Sequence, residues 1–283
     1  MSLLAPAKLN LCLYVGRELR EDGLHELRSL FCPLELADRI VVEDAPGDGD
    51  EVVCPAVRGP NLASVALEAL RARGWQRPPV RVEIDKRIPI AAGLGGGSAD
   101  AAAILRLAQG EVNGLPELAA ALGADVPSQL KPGFTLVSGA GEVLEPLPHP
   151  GEFGVVLIPD EEGLNTADVY READRLGLGR DPEELERLGK ELRERAGSGA
   201  SPFEYLDLLA NDLEQAAISL RPEIAEALAA LEEAGAAHAM VTGSGPTAFG
   251  IFEDIVAADQ AASALPPRYA NAIVSAARRT LVS

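Results

Sequence analysis

The run Pro89-Ile90-Ala91-Ala92-Gly93-Leu94-Gly95-Gly96-Gly97-Ser98 constrains this chain more than any other stretch. Before it, Val80-Arg81-Val82-Glu83-Ile84-Asp85 alternates with the period of two that marks a half-buried strand. After it, residues 98–107 are alanine-rich and helical in pattern. Glycines allow positive φ and let a backbone come close to a ligand. A helix starting near Ser98 would turn its free N–H groups and positive dipole end toward the same point. Strand, loop and helix so arranged make an anion site, most often for phosphate. A plain flexible connector is the competing reading.

Three familiar phosphate loops do not fit. A Walker A loop ends in Gly-Lys-Ser/Thr, and no lysine precedes Ser98. The dinucleotide fingerprint wants glycine where Ser98 stands, in a parallel doubly wound context. A protein-kinase glycine loop joins two strands and comes with a His-Arg-Asp catalytic loop, which the chain lacks.

Composition narrows the partners. The formal net charge is -19, a field that repels nucleic acid and anionic membranes. An anionic ligand must therefore be held locally, by backbone N–H groups, a helix N-terminus and a few placed cations. Cys12, Cys32 and Cys54 show no C-x-x-C spacing, and with His25, His149 and His238 they make no legible zinc site. An odd cysteine count without a disulfide framework suits a reducing cytosol. The N-terminus has no signal-peptide pattern, and no apolar run reaches the roughly 18 residues of a membrane span. The chain reads as soluble and cytoplasmic.

At about 150 residues per domain, 283 residues predict two domains. Strands are expected at 9–15, 27–36, 39–43, 80–85, 134–137, 153–158, 238–241 and 248–252, with Ala37-Asp38 breaking the second from the third. Helices are expected at 61–73, capped by Asn61, and at 98–107, 115–122, 183–195, 212–219 and 223–234. A helix and a last strand close the chain. Leu147-Pro148-His149-Pro150-Gly151 is the linker candidate. Strands and helices mix without strict βαβ alternation, which reads as α+β in two parts.

Three further positions carry chemistry. Lys8 enters an apolar strand, where an unpaired ammonium is costly; it is either paired with a carboxylate or phosphate, or a solvent-facing strand-end lysine. Asp125, in Gly123-Ala124-Asp125-Val126-Pro127, is either a general base reaching a substrate hydroxyl or the N-cap of a following helix. Thr242-Gly243-Ser244-Gly245-Pro246 is a second small-residue loop, facing a ligand or making a plain turn.

Pro6-Ala7-Lys8-Leu9-Asn10, the loop at 89–98 and Thr242-Gly243-Ser244-Gly245-Pro246, in that order, resemble the GHMP kinase superfamily of galactokinase, homoserine kinase and mevalonate kinase. Asp22-Gly23-Leu24-His25-Glu26-Leu27, Ile84-Asp85-Lys86-Arg87-Ile88-Pro89, Gly123-Ala124-Asp125-Val126-Pro127 and Asn211-Asp212-Leu213-Glu214 are similar to its branch that phosphorylates a cytidine-diphosphate-linked methylerythritol in the non-mevalonate isoprenoid pathway. The resemblance runs over nearly the full length. It implies an α+β, two-domain GHMP kinase fold, with an N-terminal ATP-binding domain over 1–148 and a C-terminal ferredoxin-like substrate domain over 149–283.

The resemblance also implies the site. Lys8 and Asp125 would be the catalytic pair. Pro89, Ile90, Ala91, Ala92, Gly93, Leu94, Gly95, Gly96, Gly97, Ser98 and Ala99 would wrap the ATP phosphates, joined on the ATP side by Asn61 and Lys86, with Ser98 on Mg²⁺. Asn10, Leu24, His25, Thr166, Tyr170, Gly243 and Ser244 would meet the substrate, His25 reading the cytosine edge and Tyr170 stacking on it. ATP and Mg²⁺ are the implied cofactors and a small cytidine-diphosphate compound the implied partner. The protein would be a monomer or weak homodimer, binding no nucleic acid and no membrane. Two departures touch the substrate side: Leu24 stands where the branch usually has tyrosine, and Ser128-Gln129 where it tends to have apolar residues. Another GHMP kinase with a different alcohol substrate, or a catalytically idle nucleotide-binding protein on this fold, are the alternatives.

Overall fold

A computed structural model describes residues 1–57, 59, 61–160 and 162–277. The chain opens with a long antiparallel hairpin, β1 (Ser2–Leu19) and β2 (His25–Asp44). β3 (Glu51–Val53), α1 (Leu62–Ala72), β4 (Val80–Asp85) and α2 (Gly96–Arg106) follow. Then come α3 (Leu115–Leu122), α4 (Val126–Leu130), β5 (Thr135–Ser138) and β6 (Val143–Pro146). The remainder runs β7 (Phe153–Ile158), α5 (Thr166–Leu176), α6 (Pro182–Gly197), α7 (Glu214–Leu220), α8 (Glu223–Glu233), β8 (His238–Val241), β9 (Ala248–Phe252), α9 (Ile255–Ala264) and β10 (Ile273–Ala277).

The strands join in the order β3-β4-β2-β10-β7-β9-β8, with β1 and β5 also paired to β2, and β6 to β5. Among the described residues, Leu34 of β2 opposite Ala277 of β10 is the one Cα pairing between those two strands. α1 to α4 bury their apolar faces on β1, β2 and β4, through Ala66, Leu70, Ala102, Ile104 and Leu118. The small side chains of α2 let that helix lie close to its neighbours. α8 and α9 cover β7 and β9, while α5 and α7 pack on Leu13 and Val15 of β1.

Most of the expected elements are present, with shifted ends. The expected break at Ala37-Asp38 is corrected: β2 runs through it without interruption. Asp38 is fully buried instead of turning the chain. Its Oδ1 accepts from the backbone N–H of Arg87 at 2.6 Å and of Ile88 at 2.9 Å, and its Oδ2 accepts from Lys86 Nζ. Helix α2 starts at Gly96, two residues before Ser98. Helix α5 was not expected; Asn165 caps it by accepting from the N–H groups of Ala167 and Asp168.

Bulges shape the first strand where function concentrates. The β1–β2 register shifts between Pro6 and Lys8 and again between Asn10 and Cys12. Bulges re-aim side chains locally. Lys8 and Asn10, two residues apart, share one face of the strand.

Lys86 Nζ also reaches Asp100 Oδ2 of α2 at 2.8 Å, so one buried ammonium serves two buried carboxylates. Asp100 Oδ1 has no hydrogen-bond partner among the described residues, and burial pushes the Asp100 carboxyl up to about 7. Among the described residues no helix is long and apolar enough to cross a membrane.

Two stability measurements test this cluster. Lys86→Met leaves two buried carboxylates without their cation and is expected to cost about 3–5 kcal/mol in denaturant unfolding. The folded state holds the Asp100 proton more tightly than the unfolded chain, whose aspartates titrate near about 4. Stability from this group therefore falls as pH rises from about 4 to 7. Asp100→Asn removes that loss, so its Tm is expected to gain on the wild type across the same interval. Parallel Tm curves would refute the assignment.

Candidate active site

Lys8 is almost completely buried, with its ammonium at the meeting point of four segments. Nζ donates to Asn10 Oδ1 at 2.5 Å and lies 3.3 Å from Asp125 Oδ2. It also sits 4.8 Å from the centre of the Phe31 ring on β2, within cation–π range. Asn10 is fixed in turn: its Nδ2 donates to Ser29 Oγ at 2.8 Å, and its backbone N–H donates to Thr242 Oγ1 at 3.0 Å. These contacts favour the paired reading of Lys8 over the solvent-facing one.

Asp125 occupies the N-cap position of α4, yet its side chain makes no capping hydrogen bond. The carboxylate turns to Lys8 and the cavity instead. Ser128 closes the turn, its Oγ donating to Asp125 O at 2.8 Å. The polar departure at Ser128 thus has a structural use that apolar residues do not offer. Gln129 is buried, and its Oε1 has no hydrogen-bond partner among the described residues.

The glycine loop closes over Lys8. The backbone N–H of Lys8 donates to Leu94 O at 3.0 Å. Gly95 has φ +70, and a Cβ there would lie 2.9 Å from Lys8 Cγ. Gly93 has φ +73, and its Cβ would lie 2.9 Å from both Gly245 O and Thr242 O. The loop is thus pressed between the lysine stem and the second loop by backbone alone. No side chain caps α2. Ala99 N–H, bonded to Gly95 O at 2.8 Å, is the first to find a carbonyl in that turn. The N–H groups of Gly96, Gly97 and Ser98 stand ahead of it, the donor set that an oxyanion needs.

The second loop is held from below. Asn211 Nδ2 donates to Val241 O at 2.7 Å and Gly243 O at 2.8 Å. Asp212 Oδ2 accepts from Val15 N–H at 3.0 Å, and Glu214 Oε2 from Val241 N–H at 2.9 Å. Asn211-Asp212-Leu213-Glu214 is thus a bracket between β1 and β8. Ser29, Phe31, Thr242 and Asn211 were not among the expected site residues. Thr242 and Asn211 lie within quoted motifs; nothing in the sequence pointed to Ser29 or Phe31.

A cavity of about 340 Å³ lies in front of this assembly. Its walls bring together Lys8, Asn10, Gly93, Gly95, Ser98, Asp125, Thr166, Tyr170, Gly243 and Ser244 from the expected set. Thr166 and Ser244 share a hydrogen bond at 3.0 Å. Burial, helped by the nearby Asp125 charge, pushes the Tyr170 hydroxyl up to about 12, so it stays a neutral donor.

Other expected residues lie elsewhere. Leu24 sits at the hairpin tip, 55% exposed, off the cavity wall. The His25 ring also lies outside that wall, stacked on Tyr170. The ammonium of Lys86 lies behind the glycine loop, between Asp38 and Asp100. Asn61 caps α1, accepting from Ser64 N–H at 3.0 Å. The start of α1 abuts that of α2, since a Cβ on Gly97 would meet Leu62 Cδ1 at 3.6 Å. A second cleft, of about 490 Å³, opens beside Lys86, walled by Arg39, Val41, Val53, Pro55 and Ile84.

Comparison with known proteins places this geometry. The GHMP kinases N terminal domain matches residues 61–130, and the GHMP kinases C terminal matches 180–271. A 4-diphosphocytidyl-2-C-methyl-D-erythritol kinase of Anaeromyxobacter dehalogenans (strain 2CP-C) is 41% identical over 278 residues, covering 94% of this chain and 85% of its own. One of Mycobacterium tuberculosis (strain H37Rv) is 41% identical over 255 residues, covering 86% and 79%. A crystal structure of a 4-(cytidine 5'-diphospho)-2C-methyl-D-erythritol kinase has a TM-score of 0.79 at 37% identity, covering 98% of both chains. A homoserine kinase from Cytophaga hutchinsonii shares the fold, with a TM-score of 0.72 at 18% identity over 100% of this chain and 95% of its own.

Gly93→Ala tests the contact between the loops. A methyl group at this backbone conformation costs about 1–3 kcal/mol before any clash is counted. The variant is expected to lose several degrees of Tm and to bind ATP at least tenfold more weakly by calorimetry. Wild-type affinity would mean that the two loops do not meet at Gly93.

Proposed function

The chain belongs to the GHMP kinases and, within them, to the 4-diphosphocytidyl-2-C-methyl-D-erythritol kinases; from that premise we propose ATP-dependent phosphorylation of the 2-hydroxyl of 4-diphosphocytidyl-2-C-methyl-D-erythritol, with Lys8 and Asp125 as the reacting pair. The observation that carries the pair is the buried Lys8 ammonium, 3.3 Å from a carboxylate that forgoes its capping bond and faces the cavity beneath an uncapped helix.

Phosphoryl transfer through a loose transition state asks chiefly for positioning and charge neutralisation. The N–H groups of Gly96, Gly97 and Ser98 supply donors for phosphate oxygens. Lys8 lies where it can neutralise charge on the transferring group. Asp125 orients the substrate hydroxyl and accepts its proton as the new P–O bond forms and the bond from the γ-phosphorus to the departing ADP oxygen breaks. The aliphatic stem of Lys8 is locked between Gly95 and the β2 strand, so the ammonium has little freedom to lose on binding.

Mg²⁺ suits this donor set. A magnesium ion served by substrate phosphates needs only one or two hard protein oxygens and keeps its waters. Ser98 supplies such an oxygen on the cavity wall, and no cluster of three or more His, Cys, Asp or Glu side chains forms a dedicated metal cage among the described residues. When bound, Mg²⁺ would supply further charge neutralisation on the phosphates.

The nucleoside end of ATP is assigned to the cleft beside Lys86, whose Val53, Pro55 and Ile84 walls offer apolar cover. Asn61 borders the loop from the start of α1. Residues 1–148 are proposed as the ATP-binding domain and 149–283 as the substrate domain. Asn10, Thr166, Tyr170, Gly243 and Ser244 are proposed on the substrate side, with Leu24 and His25 as its outer layer. A cytosolic monomer or weak homodimer fits an acidic chain whose three cysteines are all free.

Turnover with ATP on 4-diphosphocytidyl-2-C-methyl-D-erythritol, set against turnover on free methylerythritol phosphate, tests the substrate. Activity on the second compound alone would overturn the reading. Asp125→Asn and Lys8→Ala are each expected to lower kcat at least roughly a hundredfold, the scale of a lost general base. Near-normal turnover in Asp125→Asn would remove it from the base role.

A further inference from the structure

Tyr170 and Asp174 stand four residues apart on α5 and so share one face of that helix. The His25 ring lies between them. It stacks on Tyr170 with 5.5 Å between ring centres and 25° between planes. Its Nε2 is 3.3 Å from Asp174 Oδ1, and its Nδ1 is 2.8 Å from Gly16 O on β1. A carbonyl oxygen only accepts, so Nδ1 carries a proton and donates to Gly16. In a ring of that tautomer Nε2 is a bare acceptor, and it faces a carboxylate oxygen, another acceptor. The contact holds only with a proton between the two atoms. The ring is therefore held at both nitrogens and on one face, with 9% of its side chain exposed.

We propose that Asp174 is a positioning residue for the base-bearing end of the substrate: its carboxylate holds His25, and the His25 ring holds Tyr170 at the cavity wall. This rests on the functional reading above, in which the cytidine end lies against Tyr170. Leu24 cannot give aromatic cover from the exposed hairpin tip. Tyr170 is the aromatic ring lining the cavity from α5, and its backing is the His25 ring. His25 pairs with Leu19 at the open end of the hairpin, and through Asp174 its ring adds a side-chain tie between that strand end and α5. A stacked ring pair supports flat ligands only if the rear ring is itself fixed.

Steady-state kinetics with both substrates tests the role. Asp174 is half exposed, so Asp174→Ala should fold normally. It is expected to raise KM for the cytidine-diphosphate substrate roughly fivefold, with kcat and KM for ATP within about twofold. Asp174→Asn can donate its amide N–H to the bare Nε2 and is expected to bring KM back near the wild-type value. Nitrogen-15 NMR of the histidine rings reads the contact without substrate, and the His25 Nε2 signal should move in Asp174→Ala. An unchanged KM in Asp174→Ala would overturn the proposal. So would an equal loss of kcat and ATP affinity, or a His25 signal that stays in place. Turnover of a different alcohol, with the cytidine compound untouched by the wild type, would instead overturn the functional reading; the His25 signal would still judge the contact.

Discussion

A buried ammonium is tolerable only where partners surround it. Lys8 has such a surround, and every partner comes from a different part of the chain. Asn10 lies on the same strand face, Phe31 on the neighbouring strand, Asp125 at the head of α4, and Gly95 against the lysine stem. Further contacts hold this surround in place. Ser29 and Thr242 hold Asn10, Ser128 closes the turn below Asp125, and Asn211 holds the carbonyls of the second loop. Satisfying one charge thus requires the hairpin, the helical layer and the C-terminal loop to be in place together.

The same economy answers the acidity of the chain. A net charge of -19 opposes the approach of a triphosphate at long range. The short-range donors are those that carbonyls and carboxylates have not already taken. Lys86 is spent on Asp38 and Asp100, and Arg180 on Asp212 and Glu184. Backbone N–H groups at α2 remain at the cavity, beside a Lys8 ammonium already shared with Asn10 and Asp125. Attraction arises only within a few ångströms of the correct pose, where salt screening is weak.

Much of this was legible from residue order. The period-two run at 80–85, the glycines and the alanine-rich segment after them identify a strand, a loop and a helix without reference to anything distant. The loop at 242–246 and Lys8 were legible as motifs, but their meeting was not, since Asn10 and Thr242 are 232 residues apart. Asp38 misleads for a related reason. An aspartate after alanine in mid-strand reads as a break, and only the remote Lys86 and two backbone N–H groups make it a strand residue. Helix α5 escapes because its buried stripe is just Val169 and Ala173 on an otherwise polar segment. His25 and Tyr170 could be singled out separately, whereas Asp174 gains its meaning from a ring that β2 brings to it.

The seam at Gly93 joins the two loops without side chains. Backbone meets backbone there, against Gly245 O and Thr242 O, with no side chain between. Side-chain seams loosen gradually as rotamers interchange on the nanosecond scale. A seam of main chain has no such intermediate states. The two loops either lie in register or separate as whole segments, and the Asn211 bracket fixes one of them to β8. The fit of the two loops is thus set by main-chain geometry, and a change at Gly93 acts on both of them at once.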